Sequence, residues 1–422
     1  MTARQCAFNL LLDFIRNDTF SNIALNNTLK KFEFSAADKS FITAIFYGVI
    51  EKQLLIDYQL TKHLRQPLKK LKPEVFVALR MGVYQILFMD KVPDGAAVNE
   101  SVKLVKNNKS AFASSLVNAV LRNICKDGLL LPDNSEKRYL SVKHSVSQDI
   151  IDLWINCYGE DTTLNLLESL THKAKTAIRV NTLKTNKTDL QKCLIEEGII
   201  CEDNPLTDDS LIISQSGDLS SVKSFKEGCF HIEDTAAQLA AQALSAKAGD
   251  RVLDVCAAPG GKAFTIAEIM RSGEIIACDI YEQRLELIKK NSKRLGIDFI
   301  KTVLQDGSKY NSDLGLFERV LCDVPCSGLG TISSKPEIRY KTKEQIAAFP
   351  DIQYGILNNS FKYLKSGGTV VYSTCTLNKS ENEGVIQRFI SSHNCKIISQ
   401  KTYFPYIDKT DGFFIAVIKK NG

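Results

Sequence analysis

Val320-Leu-Cys-Asp-Val-Pro-Cys-Ser-Gly-Leu329 reads as a buried strand that ends in a polar turn. The turn carries a carboxylate (Asp323), a stiffening proline and a thiol (Cys326). Val370-Val-Tyr-Ser-Thr-Cys375 repeats the arrangement, so two apolar strands each end in a cysteine. Around them, from about residue 230 onward, short apolar runs alternate with helical stretches. The runs are Arg251–Ala258, Glu274–Ile280, Phe299–Gln305, Arg319–Pro325, Thr369–Cys375, Lys396–Ser399 and Phe413–Ile418. Alternation of this kind predicts a mostly parallel sheet covered by helices on both faces. The last run follows its predecessor closely and suits an antiparallel hairpin at the sheet edge.

The rest of the chain reads differently. At 422 residues it is too long for one core. Residues 1–140 show helical periodicity only. Phe8, Leu11, Leu12 and Ile15 share one face, as do Phe41, Ile45 and Val49 after a candidate N-cap, Ser35. Pro73 opens a further helix, and Val98, Val102 and Val105 precede a stripe through Leu116, Val120 and Ile124. Gly128–Asn134 reads as a linker. Residues 141–232 read as a small α+β segment, with a helical core tryptophan (Trp154), strands at Ala177–Leu183 and Leu211–Ser214, and a helix at Thr188–Gly198. A strand pair bearing Arg179 and Asn181 is a weak candidate RNA surface. Residues 233–422 form the α/β domain.

Charge separates the same parts. Residues 1–140 hold 20 Lys+Arg and 13 Asp+Glu, a net +7, whereas the remainder holds 34 and 35, a net −1. Lys103, Lys106, Lys109, Arg122 and Lys126 cluster in and between two of the helices. The asymmetry fits a nucleic-acid-binding appendage on a near-neutral domain, or a solvated helical surface. No run reaches the ~18 apolar residues of a membrane helix, and the N-terminus does not resemble a signal peptide. Twelve scattered cysteines fit a reducing cytosol rather than a disulfide scaffold.

Asp254-Val-Cys-Ala-Ala-Pro-Gly-Gly-Lys262 follows the first strand of the α/β domain and opens a helix. In doubly wound sheets ligands bind at this edge. The spacing matches neither the dinucleotide nor the NTP glycine pattern. Gly260 and Gly261 allow close backbone approach. Asp279 ends the second strand, placed for ribose hydroxyls, and Asp306 the third, placed for an adenine amino group. Each acid alone could simply cap a helix; together they describe a nucleoside site with no phosphate clamp, and S-adenosylmethionine is such a ligand.

The thiols then select a chemistry. Carbon 5 of cytosine is too electron-poor to attack a methyl donor. A thiolate adding at carbon 6 makes it enamine-like, and a carboxyl near ring nitrogen 3 stabilises the adduct. Cys256, Cys278 and Cys322 lie within strand patterns and read as small core hydrophobes. Cys322 and Cys326 lack the second pair that a zinc site wants, so no metal is expected. All five histidines (His63, His144, His172, His231 and His393) lie outside the key loops, which argues against a Cys–His protease.

Asp254–Lys262, Asp323-Val-Pro-Cys-Ser-Gly-Leu-Gly330 and Tyr372-Ser-Thr-Cys-Thr-Leu377 resemble the signature motifs of the RNA 5-methylcytosine methyltransferases. The resemblance runs upstream through Phe225-Lys-Glu-Gly and Glu233-Asp-Thr-Ala-Ala-Gln238. It reaches Ala97–Val105 and Val117-Asn-Ala-Val-Leu-Arg122, which resemble a NusB-like RNA-binding domain. Coverage of all three parts points to the bacterial RsmB (Sun) branch. The resemblance implies a Rossmann-like class I methyltransferase domain behind an all-α NusB-like domain and a small α+β linker domain, acting on a cytosine of 16S ribosomal RNA as a monomer. It implies Cys375 as nucleophile, Cys326 as the group assisting release, and Asp323 as a contact to cytosine and cofactor. The S-adenosylmethionine contacts would be Cys256, Ala257, Ala258, Pro259, Gly260, Gly261 and Lys262, with Asp279, Asp306 and Asp323. Ala263 and Val324 depart from the motif as packing changes. Ser333 and Ser334 stand where relatives usually carry two arginines, which puts RNA affinity and the target site in question. Three other readings are a 5-methylcytosine methyltransferase acting on another RNA (tRNA or 23S ribosomal RNA), a DNA cytosine methyltransferase with Cys326 as nucleophile, and a non-catalytic NusB-like RNA-binding factor.

Overall fold

A computed structural model describes all residues except 18–20, 109, 172–174 and 216–217, so Lys109 and His172 lie outside the described residues. The chain divides into two compact units, residues 1–156 with 335–342, and residues 157–334 with 343–422.

The first unit is helical. Its main helices are Ala3–Asn17, Ser21–Lys31, Ala36–Glu51, Gln53–His63, Pro73–Phe88, Asp94–Asn107 and Ser114–Asp127. Ser35 caps Ala36–Glu51 as its sequence position predicts, accepting from the Asp38 amide. The apolar stripes converge on one core through Phe8, Ile45, Phe46, Val105, Val117 and Leu121, each at most 5% exposed. The Gly128–Asn134 linker is stitched back to this bundle. Gln59 donates to the Leu130 carbonyl at 2.8 Å and accepts from its amide at 2.9 Å. The distant segment Lys335–Thr342 also belongs here. The Tyr340 hydroxyl donates to the Ile50 carbonyl and accepts from the Gln53 amide at 3.2 Å. Arg339 reaches the His144 carbonyl at 3.1 Å.

The second unit holds two sheets. In the smaller, β1 (Thr176–Val180), β2 (Ile200–Asp203), β3 (Ser210–Gln215) and β4 (Phe230–Ile232) run in the order β2-β3-β1-β4, all antiparallel. Arg179 and Asn181 do not form an RNA surface. Arg179 is 2% exposed and ion-paired at 3.1 Å to Glu268, and Asn181 is fully buried, donating to the Gly228 and Leu295 carbonyls. Strand β1 lies inside the sheet with both faces covered, so its outward-reading polar residues join it to neighbouring structure instead of to solvent.

The larger sheet contains β5 (Arg251–Asp254), β6 (Glu274–Asp279), β7 (Ile300–Leu304), β8 (Phe317–Asp323), β9 (Leu364–Thr374), β10 (Cys395–Tyr403) and β11 (Phe413–Lys420), in the order β10-β11-β9-β8-β5-β6-β7. The five strands from β9 to β7 are parallel, and β11 lies antiparallel between β9 and β10, as the closing hairpin predicts. Near-continuous apolar runs in β5, β6, β8 and β9 are buried on both faces, the mark of a parallel sheet under two helical layers. The chain leaves β5 towards β6 on one side and returns to β8 on the other. That switch point opens a crevice at the carboxyl ends of β5 and β8.

Candidate active site

The loop after β5 fills one side of the crevice. Gly260 sits at φ +109°, a conformation that favours glycine, and a Cβ there would meet the Phe264 ring at 2.5 Å. A Cβ on Gly261 would meet Glu233 Oε1 at 2.8 Å. The two glycines thus let the helix Gly261–Met270 begin hard against its neighbours. A cavity of about 310 Å³ opens here. Cys256–Pro259, Gly261, Lys262 and Asp323 line it, as does Asp254. Gly260, Asp279 and Asp306 lie outside this lining. The Ala257 amide nevertheless donates to the Cys278 carbonyl at 2.8 Å, and the Gln305 amide to the Asp279 carbonyl at 3.1 Å. The ends of β6 and β7 therefore flank the loop. Asp279 is buried, accepting from the Tyr281 amide and lying 3.3 Å from Arg284. Asp306 accepts from the Ser308 hydroxyl and amide, which hold its carboxyl below the usual range.

Asp323 connects this cavity to the thiols. Its Oδ2 lies 2.7 Å from Lys262 Nζ, and its Oδ1 accepts from Ser373 Oγ at 2.7 Å. One carboxylate thus ties the β5 loop to the ends of β8 and β9. Burial pushes the Lys262 ammonium down, but the Asp323 and Glu233 carboxylates outweigh it and hold the group above the ordinary lysine range. Beyond Asp323 the sulfurs of Cys326 and Cys375 lie 3.3 Å apart. The contact with Cys375, reinforced by burial, pushes the Cys326 thiol well above its ordinary value. Burial lifts Cys278 and Cys322 to about 12, as inert core thiols.

Several groups here escape sequence reading. Asp254 is 1% exposed, and neither of its oxygens meets a hydrogen-bond donor in good geometry. Burial, aided by the Asp323 charge, pushes its carboxyl up to about 7. His231, the middle residue of β4, lies between two buried acids, with Nε2 3.3 Å from Glu233 and Nδ1 3.4 Å from Glu268. Burial pushes this imidazole down, yet the two carboxylates outweigh it and raise it to about 9. Arg294 lies over the Phe225 ring and donates to the Phe225 and Phe230 carbonyls, with both side chains on the cavity wall. Glu381 and Asn382, both fully buried, stand behind the thiol loops. An acid at a strand end before a glycine pair, and an Asn378-x-x-Glu-Asn382 cluster just past a thiol, are the signals that could have marked Asp254 and this pair.

Comparison with known proteins matches the chain in three segments. A family model described as 16S rRNA methyltransferase RsmB/F matches residues 241–419. The NusB family matches residues 1–126, and a ferredoxin-like domain of RsmF/B-like methyltransferases matches residues 148–220. A probable ribosomal RNA small subunit methyltransferase B of Bacillus subtilis is 32% identical, covering all of this chain and 99% of its own. One from Synechocystis is 33% identical, covering all of both chains. Among solved structures, that of PH0851 is 26% identical with a TM-score of 0.86, covering 99% of each chain. A methyltransferase homologue from Pyrococcus horikoshii is 27% identical with a TM-score of 0.62, covering 68% of this chain and all of that one.

Proposed function

The chain belongs to the 16S rRNA methyltransferase RsmB/F family, and from that footing we propose that it methylates carbon 5 of a cytosine in 16S ribosomal RNA through a covalent bond from Cys375 to carbon 6. The observation that carries this reading is the pair of sulfurs 3.3 Å apart, joined through Asp323 to the cavity that Lys262 lines. S-adenosylmethionine, when bound, supplies the electrophilic methyl group. The orphaned Asp254 carboxylate, the glycine pair and the cavity fit such a cationic nucleoside. The loop Cys256–Lys262 would hold it together with Asp279, Asp306 and Asp323.

The chain's own residues divide the remaining work. Cys375 forms the bond to carbon 6 as a thiolate, and the electron pair of the 5,6 double bond moves to carbon 5. Asp323, steadied by Lys262 and Ser373, faces the pyrimidine edge and stabilises the adduct near nitrogen 3. After methylation carbon 5 loses its proton to water, the double bond re-forms and the sulfur–carbon bond breaks. Cys375 leaves as a thiolate, ready for the next turnover, and Cys326, which keeps its proton at neutral pH, eases that departure by donating its S–H to the leaving sulfur as a hydrogen bond across the 3.3 Å contact. This division of roles follows the general rule that a nucleophile is activated by position and a second group serves its departure.

We assign RNA binding to residues 1–140, where the positive charge collects, a supporting role to 141–232, and catalysis to 233–422. Among the described residues no helix is long and apolar enough to cross a membrane; we read the protein as a cytoplasmic monomer. Transfer of labelled methyl to 16S ribosomal RNA tests the proposal. Cys375→Ala should abolish it, and Cys326→Ala should trap a protein–RNA adduct that survives denaturing electrophoresis. Activity in Cys375→Ala with none in Cys326→Ala would reverse the assignment. Bisulfite mapping of ribosomal RNA from cells with and without the gene would locate the cytosine.

A further inference from the structure

The two thiols sit on different supports, and the supports are consecutive residues. Glu381 is fully buried, and its carboxylate accepts from the Ser327 amide at 2.9 Å and from the Ser327 hydroxyl. It also accepts from Gln353 Nε2 at 2.9 Å and Asn378 Nδ2 at 2.9 Å. The same Gln353 nitrogen donates to the Pro325 carbonyl at 3.0 Å. Both chain neighbours of Cys326 are therefore fixed from one carboxylate, Ser327 directly and Pro325 through Gln353. Asn382, fully buried as well, does the equivalent for the other sulfur. Its Oδ1 accepts from the Thr374 hydroxyl at 2.6 Å, and its Nδ2 donates to the Thr376 carbonyl at 2.9 Å. Thr374 and Thr376 are the two neighbours of Cys375.

The pair is itself anchored. The amides of Glu381 and Asn382 both donate to the Asn378 carbonyl, at 3.0 and 3.1 Å, and the buried Tyr372 hydroxyl donates to the Glu381 carbonyl at 2.6 Å. A buried carboxylate with four donors is a satisfied network, and such networks fix one geometry at the cost of tolerance. Burying this charge only to hold a loop would be a poor use of stability; its placement makes sense if the position of one sulfur is what it secures.

We infer that Glu381 and Asn382 are positioning residues for the covalent cycle, Glu381 setting the place of Cys326 and Asn382 that of Cys375. The inference rests on the thiol roles proposed above. The two side chains then govern different halves of the reaction, Asn382 the formation of the adduct and Glu381 its breakdown. The two loops also meet directly, through the Ser327–Thr376 hydroxyl contact at 2.6 Å, the Leu329 amide on the Thr376 hydroxyl at 3.3 Å and the Gly330 amide on the Cys375 carbonyl at 3.0 Å.

The experiment uses the full-length protein with 16S ribosomal RNA and labelled S-adenosylmethionine, following the first turnover and the steady state separately. Glu381→Gln places an amide donor against donors, and Ser327→Ala removes one of the same bonds from the other side. Both should keep the first-turnover rate, accumulate the denaturation-resistant adduct, and lower the steady-state rate, for Glu381→Gln by roughly tenfold or more, the scale of a lost hydrogen bond to a buried charge. Asn382→Ala and Thr374→Val should instead slow the first turnover and accumulate no adduct. A proportional loss of both rates in all four variants, or sorting in the opposite sense, would overturn the inference. Should a change at 381 or 382 prevent folding, Ser327→Ala and Thr374→Val carry the test. Iodoacetamide alkylation against pH, read for each sulfur by mass spectrometry, separates this inference from the one beneath it. Glu381→Gln should move the Cys326 profile to lower pH and leave that of Cys375, whatever happens on RNA, and an unchanged Cys326 profile counts against the inference. If Cys326→Ala traps no adduct while the alkylation profiles sort as stated, the thiol roles fail and the positioning stands.

Discussion

Replacing Asp254 with asparagine should make the protein more stable in mild alkali, because the wild-type chain buries a carboxylate with no good partner. Burial first, and the Asp323 charge second, lift the Asp254 carboxyl from 3.8 to about 7. A group whose folded value is raised binds its proton more tightly in the folded state. Its favourable contribution is complete below the unfolded value and is lost as pH rises towards the folded one. The stability lost between pH 4 and pH 7 is of order 4 kcal/mol, from about three units at 1.36 kcal/mol each. A neutral amide in the same place would carry no such penalty. Urea unfolding followed by circular dichroism at pH 5 and pH 8 measures it: Asp254→Asn should fall less steeply with pH than wild type and end up the more stable at pH 8. A variant less stable than wild type at pH 8, or an equal difference at both pH values, would refute the reasoning, since it would mean that the carboxylate is already well partnered. The same substitution should weaken S-adenosylmethionine binding in calorimetry, because an unpartnered buried acid on a cavity wall is stability held back for a ligand.

Other changes probe the supports. Arg179→Met leaves Glu268 buried beside His231 alone and should cost about 3 kcal/mol in urea unfolding, with Arg179→Met/Glu268→Leu costing less because no lone charge remains. Tyr340→Phe strands the Gln53 amide and takes one donor from the Ile50 carbonyl, and should lower the stability of the helical unit by about 1–3 kcal/mol. Trp154, the only tryptophan and 1% exposed within that unit, reports the loss by fluorescence.

Sequence reading succeeded where chemistry and periodicity are both local. The β8 and β9 runs announce buried strands, and their polar ends announce a site, within ten residues each. The two thiols could be assigned to one place because parallel strands bring their carboxyl ends together as a matter of topology. Reading failed where a residue's meaning depends on a distant partner. Arg179 reads as a candidate RNA contact when only its own strand is considered; its partner Glu268 lies 89 positions away on a helix of another layer. β2 and β4, four and three residues long, are too short to show a period of two. Lys335–Thr342 carries no periodic signal to tie it to a bundle some 290 residues earlier. Glu381 and Asn382 look like ordinary loop polar residues until the loops behind Cys326 and Cys375 are folded against them.

Gly330 gives this site an order of assembly. Its amide donates to the Cys375 carbonyl at 3.0 Å, and its carbonyl accepts from the Gly412 amide at 2.8 Å, in a packing so close that a Cβ on Gly330 would sit 1.8 Å from the Gly412 oxygen. Three stretches of backbone, spread over 82 positions between Gly330 and Gly412, must meet before the thiol loops are locked. Contacts of such long sequence separation form late in folding. During synthesis Cys375, the nucleophile proposed above, therefore stays without its geometry until Gly412 has been made, and a chain stopped before Gly412 should form none of the proposed adduct.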